Sequence, residues 1–221
     1  MALVVFDLDG TLVDSRLDLA ESTNEMLSSY GAEPLPVDQI AAMVGDGAKK
    51  LVLRALKSAG RRPETEEALQ RFRTIYDRRL LNHTKPYDGI LDVVRRAADI
   101  AALGVLTNKP AAPTERLLAS FGLASFFQWV TAGDSGVPRK PDPTGLKQMI
   151  QNAGASASDT LLVGDSMIDV MTARSAGVQV CVARYGFGQL RGEMTLEPSE
   201  LEAGLPADLG PIIERHIRGL C

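Results

Sequence analysis

From Pro86 onward, short apolar runs alternate with amphipathic stretches, and this alternation restricts the fold more than any other feature of the chain. "YDGILDVVRRAAD" reads as a helix, "ALGVLTN" as a strand and "APTERLLASFG" as a helix. "FQWVTAG" comes next, then the helix "DPTGLKQMIQNAG", the strand "TLLVG", the helix "MIDVMTARSAG" and the strand "VQVCVA". Apolar strands separated by helices imply a parallel sheet covered on both faces. Gly122, Gly154 and Gly177 stand at the helix ends, where a left-handed cap costs glycine least.

Residues 2–6 add a first strand, and the long segment after it breaks the alternation. Residues 16–82 read as wholly helical: "RLDLAESTNEMLSSYG" places Leu17, Ala20, Asn24 and Leu27 on one side, and "VDQIAAMVG", "AKKLVLRALKSAG" and "TEEALQRFRTIYDRRLL" repeat the pattern with glycine stops at 31, 45 and 60. The expected architecture is α/β: a doubly wound parallel sheet, Rossmann-like, from residues 1–13 and 84–221, with an inserted all-helical cap over 14–83. Residues 186–211, rich in Gly and Pro, read as a long loop, and "PIIERHIRGL" as a closing helix. There is no internal repeat and no low-complexity tract.

The first strand ends in "DLDGT". Side chains alternate along an extended chain, so Asp7 and Asp9 point the same way while Leu8 faces the core. Two like charges held close destabilise the fold unless a cation or a proton lies between them. The alternative is an Asx-type turn in which each acid bonds nearby amides.

Ligands of an open parallel sheet bind beyond the carboxyl ends of its strands. The residues expected there form a consistent set. "ALGVLTNK" delivers Thr107, Asn108 and Lys109, "FQWVTAGDSGVPRKPDP" carries Lys140, and "TLLVGDSMID" delivers Asp165, with Asp169 four residues on. Carboxylates suit a hard cation such as Mg²⁺, Thr107 and Asn108 can donate to phosphate oxygens, and Lys140 adds a point charge. This is a constellation for phosphoryl transfer.

Composition narrows the partners. At 221 residues, 45% of them hydrophobic, the chain can build a large core, and a net charge of −4 supplies no basic field for nucleic acid or acidic lipid. The two cysteines, Cys181 and Cys221, are too few for a disulfide framework, which fits a reducing cytoplasm. No apolar stretch approaches the ~18 to 20 residues that span a bilayer, and no signal sequence fits ahead of Asp7. The sequence leaves oligomeric state open.

"DLDGT", "LTNK", "RKPDP" and "GDSMID", in this order with a helical insert after the first, resemble the four motifs of the haloacid dehalogenase superfamily. Within it, "MVGDGAKKLV", "PYDGI" and "AGDSGVPRKPDPTGL" are similar to the phosphoglycolate phosphatase group. The resemblance implies a Mg²⁺-dependent phosphatase acting on a small phosphate monoester. Asp7 would be the nucleophile that becomes an aspartyl-phosphate, and Asp9 the general acid and then the general base, its backbone carbonyl also binding Mg²⁺. Asp165 would be a metal ligand with Asp169 nearby, and Thr107 and Lys140 would stabilise charge on the transferring oxygens.

An acid at position 9 favours phosphate esters over haloacids, which have no alkoxide to protonate. A phosphomutase or sugar-phosphate phosphatase uses the same acids. A phosphoacceptor signalling domain, the non-enzymatic alternative, is smaller and carries no helical cap.

Selectivity is expected from the cap, where Lys49 or Lys50, after "GDG", could meet the substrate's far end. Adjacent lysines on a helix diverge by about 100°, and most are simply solvated. Arg54 reads as a polar residue on an amphipathic helix, His83 and His216 as surface residues, Trp129 as core, "RRP" at 61–63 as too short for a basic patch, and "GFG" at 186–188 as a lip near the site or a plain turn.

Overall fold

A computed structural model describes residues 1–62, 64–188 and 195–219. The chain begins with β1 (Leu3–Phe6), β2 (Val13–Asp14), and the helices α1 (Arg16–Ser28), α2 (Val37–Ala41), α3 (Ala48–Ser58) and α4 (Thr65–Arg79). Then come β3 (Lys85–Pro86), α5 (Ile90–Ala98), β4 (Ala102–Leu106), α6 (Ala111–Ser120), β5 (Trp129–Thr131), α7 (Thr144–Ala153), β6 (Thr160–Gly164) and α8 (Met167–Ala176). β7 (Gln179–Ala183), β8 (Leu201–Ala203) and α9 (Leu209–Ile217) complete it.

Six strands form one parallel sheet in the order β5-β4-β1-β6-β7-β8. Strand alternation divides its residues between two cores. Val4, Phe6, Leu103, Val105, Leu161 and Val163 pack with Ile90, Val94 and Ile213 of α5 and α9, while Leu3, Val5, Leu106, Leu162 and Val180 pack with Leu146, Met149 and Val170 of α7 and α8. Burial on both faces explains why the inner strands β1, β4 and β6 read as largely apolar runs, whereas the edge strands β5 and β8 are partly exposed.

After β1 the chain fills the β4–β5 side and then returns to fill the β6–β8 side, so the strand order reverses at β1. The crevice at such a reversal is where doubly wound sheets bind ligands. Asp7 and Asp9 lie directly after β1.

α1 to α4 lie between two strands that pair with each other: Val13 faces Pro86 and Asp14 faces Lys85 in an antiparallel ladder. The outgoing and returning chains therefore run side by side. Asp18, fully buried at the start of α1, ties them further, its Oδ2 accepting from the Thr84 backbone N–H at 2.8 Å, Thr84 Oγ1 at 2.6 Å and the His83 N–H at 3.0 Å.

Several expectations change. The stretch expected as a loop over 186–211 contains β8, a 3-10 turn at Pro206–Asp208 and the start of α9, residues 189–194 lying outside the described part. Three residues have too little periodicity to announce a strand; β8 exists because Cys181, Val182 and Ala183 of β7 offer it a ladder and Ala203 is buried beneath it. On α1, Leu17 is exposed and the buried set includes Leu19, Ala20, Ser22, Thr23, Met26 and Leu27, because α2, α3 and α4 enclose the helix from several sides. His216 is buried on α9, and desolvation lowers its pKa. Trp129 packs, half-buried, at the edge of the second core.

Candidate active site

β1, β4 and β6 bring their carboxyl ends together, and with them Asp7, Thr107 and Asp165. Asp169 joins from N3 of α8. Its Oδ2 accepts from the Ser166 backbone N–H at 3.2 Å and Ser166 Oγ at 2.7 Å, so the carboxylate caps the helix on one side and leaves Oδ1 for the site. Lys140 Nζ lies 2.6 Å from Asp169 Oδ1 and 2.9 Å from Asp7 Oδ1, although the Asp7 contact is not aligned as a hydrogen bond and leaves Oδ1 without such a partner.

Carboxylate oxygens of Asp7, Asp165 and Asp169 lie within 4.8 Å of one another, all three residues buried. One lysine cannot balance three such acids. Burial pushes the Asp7 carboxyl up to about 6 against the pull of Lys140, and burial together with Asp7 and Asp169 also raises Asp165. Burial alone would lower Lys140, but Asp169 and Asp7 hold it above the ordinary lysine range. An excess of buried negative charge and a donor set of oxygens only together fit a hard divalent cation. Asp165 is held by the "GFG" turn: its Oδ2 accepts from the Gly188 N–H at 2.5 Å and the Phe187 N–H at 3.1 Å. Gly10, at φ +86°, passes so close that a Cβ there would stand 1.8 Å from Asp165 Oδ2.

Asp9 departs from the expected pairing. Its carboxylate lies outside the three-acid group and accepts from Lys109 Nζ at 2.9 and 3.1 Å and from Ser15 Oγ at 2.6 Å. Asp9 thus has a buried lysine of its own, Lys109, whereas Asp7 shares Lys140 with Asp169. Lys109 is recognisable in sequence as a strand-end residue, but its partner, 100 positions away, is not.

Thr107 is buried at the end of β4, its N–H bonded to the Thr131 carbonyl and its Oγ1 accepting from the Lys109 N–H. Asn108 lies beside the cavity, with its side-chain amide engaged by backbone carbonyls. Its Nδ2 donates to the Gly45 carbonyl at 2.9 Å and the Lys140 carbonyl at 3.0 Å, which occupies both amide hydrogens and bridges the sheet to the helical insert.

A cavity of about 390 Å³ opens over Asp7, Asp9 and Thr107, walled by Leu19, Val44, Leu51, Phe72 and Tyr76 from the insert and by Pro110 and Pro113 from the sheet side. Lys49 and Lys50 do not line it. α3 turns Leu51, Val52, Ala55 and Leu56 inward, which leaves Lys49 paired with Glu66 on the surface and Lys50 paired with Asp46 at 3.0 Å. Arg54 also pairs with Asp46 and donates to the Met43 carbonyl at 2.8 Å, bracing the "GDG" turn. The cations lining the cavity, among the described residues, are Lys109 and Arg73. Arg73 does not stand out in the sequence because it is one of several basic residues on the amphipathic α4.

A model of the haloacid dehalogenase-like hydrolases matches residues 4–183. The chain belongs to this family. Among related haloacid dehalogenase-like proteins, the phosphoglycolate phosphatase of Rhodospirillum rubrum is 40% identical over 194 residues, spanning 84% of this chain and 80% of its own length. A plasmid-encoded phosphoglycolate phosphatase of Cupriavidus necator is 36% identical, spanning 92% of this chain and 90% of its own. The crystal structure of a predicted phosphoglycolate phosphatase from Haemophilus somnus superposes with a TM-score of 0.88 at 29% identity, covering 96% of this chain and 97% of that one. Among the described residues of this haloacid dehalogenase-like hydrolase, no helix is long and apolar enough to cross a membrane.

Proposed function

We propose that this chain is a Mg²⁺-dependent phosphatase that hydrolyses a small phosphate monoester, phosphoglycolate first among them, through an aspartyl-phosphate on Asp7. The observation that carries the reading is the meeting of Asp7, Asp165 and Asp169 with Lys140 and Thr107 at the reversal of the sheet, under a cavity. The phosphoglycolate phosphatases at 36–40% identity support the substrate.

Asp7, the Asp9 backbone carbonyl and Asp165 would hold Mg²⁺, with Asp169 beside them. The bound ion supplies positive charge that offsets the negative charge of the phosphoryl oxygens and the acids. Asp7 attacks phosphorus in line with the leaving oxygen, and the P–O bond to the substrate breaks as Asp9 passes a proton to the alkoxide. Asp9 then takes a proton from water, the hydroxide attacks phosphorus, and the Asp7–phosphorus bond breaks to release inorganic phosphate. Lys140 and Thr107 stabilise the equatorial oxygens throughout. The helical insert acts as the cap, moving on the paired β2–β3 linkers to admit substrate and exclude water. The cytoplasm is the compartment that the cysteine usage favours.

The test is phosphate release from a panel of small phosphate esters with Mg²⁺ and with chelator, beside the variant Asp7→Asn. Metal-dependent turnover lost in Asp7→Asn supports the reading. Release that survives in Asp7→Asn, or conversion of a hexose phosphate into its isomer in place of hydrolysis, overturns it.

A further inference from the structure

Asp9 is gripped from two sides, and only one grip belongs to its own segment. Ser15 Oγ donates to its Oδ1 from six residues away. The other grip is Lys109, whose Nζ donates to both Asp9 oxygens and to a third oxygen, Tyr76 Oη, at 2.6 Å. Tyr76 lies on α4, within the helical insert, stacked on Phe72 with ring centroids 5.7 Å apart, and its ring centroid also lies 4.6 Å from Lys109 Nζ. Lys109 and Tyr76 are both buried.

We propose that Lys109 and Tyr76 are positioning residues that couple the seating of the helical insert to the orientation of Asp9. The inference rests on the role given above to Asp9 as acid and base. Lys109 sits on a four-carbon stem with three rotatable donors, so it needs several acceptors to be held in one place. Asp9 supplies two, and Tyr76 supplies the third from across the cavity. That third contact exists only when α4 lies against the sheet. With the insert displaced, Lys109 loses its outer anchor and the Asp9 carboxylate loses its fixed donor geometry. The neighbouring Asn108 bridges to the Gly45 carbonyl of the insert in the same way, so two consecutive residues after β4 read the insert's position. Chemistry would then proceed only where water has been excluded.

Tyr76→Phe removes one hydroxyl and keeps the ring stack, and a melting temperature close to wild type checks the fold. The kcat/KM for phosphoglycolate, which reports the steps up to departure of the leaving group, should fall about tenfold, the loss expected for one hydrogen bond to a charged group. The kcat/KM for 4-nitrophenyl phosphate, whose leaving group needs little protonation, should fall no more than about twofold, because hydrolysis of the aspartyl-phosphate, in which Asp9 is the base for both substrates, does not enter kcat/KM. Lys109→Met should shift the same ratio further. In an Asp9→Asn background, Tyr76→Phe should no longer alter the ratio of the two substrates. Equal losses on both substrates, no loss on either, or an undiminished effect in the Asp9→Asn background overturns the coupling. If Asp9→Asn itself costs both substrates equally, the acid role of Asp9 falls, and the coupling with it. If Asp9→Asn is selective and Tyr76→Phe is not, only the coupling falls.

Discussion

Without divalent metal, the three-acid group should make the protein less stable as pH rises from about 4 to about 6, and Mg²⁺ should reverse the loss. The Asp7 carboxyl stands at about 6 in the folded chain against 3.8 as the ordinary value, raised first by burial. Between those values the folded protein holds a proton that the unfolded chain has released, so stability falls with rising pH. Below the lower value the carboxyl is protonated in both states and the penalty is absent; above the upper one it is complete. A displacement of this size corresponds to about 3 kcal/mol from Asp7 alone. Asp165 acts in the same direction. Asp14 and Asp46, whose carboxyls are lowered by Arg16 and by Lys50 and Arg54, act in the opposite sense but below the window, and His216, lowered by burial, opposes the trend within it, so the Asp7 contribution is read as the difference between wild type and Asp7→Asn. Mg²⁺ at about a hundredfold over its dissociation constant adds about 2.7 kcal/mol, at a pH where the acids are ionised. Urea unfolding with chelator and with Mg²⁺, at about pH 4.5 and about pH 7.5, measures both effects, and Asp7→Asn should flatten the chelator series. Stability that rises across the window in chelator, or a Mg²⁺ increment equal at both pH values, would refute the reasoning.

Other substitutions probe separate parts of the structure. Arg73→Met keeps the stem but removes a cation from the cavity wall, so kcat/KM for phosphoglycolate should fall by about 1–3 kcal/mol while a neutral aryl phosphate is spared; Lys49→Met and Lys50→Met should change neither, and a selective effect of a lysine in place of Arg73 would reverse the assignment. Asp18→Ala leaves the Thr84 N–H and hydroxyl buried without their acceptor and should cost about 3 kcal/mol or more in urea unfolding, Asp18→Asn less; equal stability of all three proteins would show that the tie between the linkers contributes nothing. In Gly186→Ala the new Cβ meets the Gly10 carbonyl at 2.3 Å and Asp165 Cβ at 2.5 Å, so a loss of about 1–3 kcal/mol and weaker Mg²⁺ binding by calorimetry are expected, and an unchanged metal affinity would count against the Asp165 site.

The parallel α/β core is legible in residue order alone, because strands buried on both faces must be apolar throughout and the helices between them must be amphipathic, and both patterns are local. So are the residues at the strand ends, Asp7, Thr107 and Asp165 among them, since a strand's end is marked where its apolar run stops. How those residues are shared out is a matter of packing. Which lysine neutralises which acid depends on strand order, and the order that sets β1 between β4 and β6 leaves no trace in any one segment. The pairing of Lys109 with Asp9 and Tyr76, the use of Asn108 as a bridge, the outward turn of Lys49 and Lys50, and the arrival of Arg73 at the cavity all come from how the helical insert seats on the sheet. β8 belongs with them, three residues made a strand by the open edge of β7. Local pattern specifies an element through the period of its side chains, whereas a contact between residues 33 or 100 positions apart is specified only when packing closes the distance.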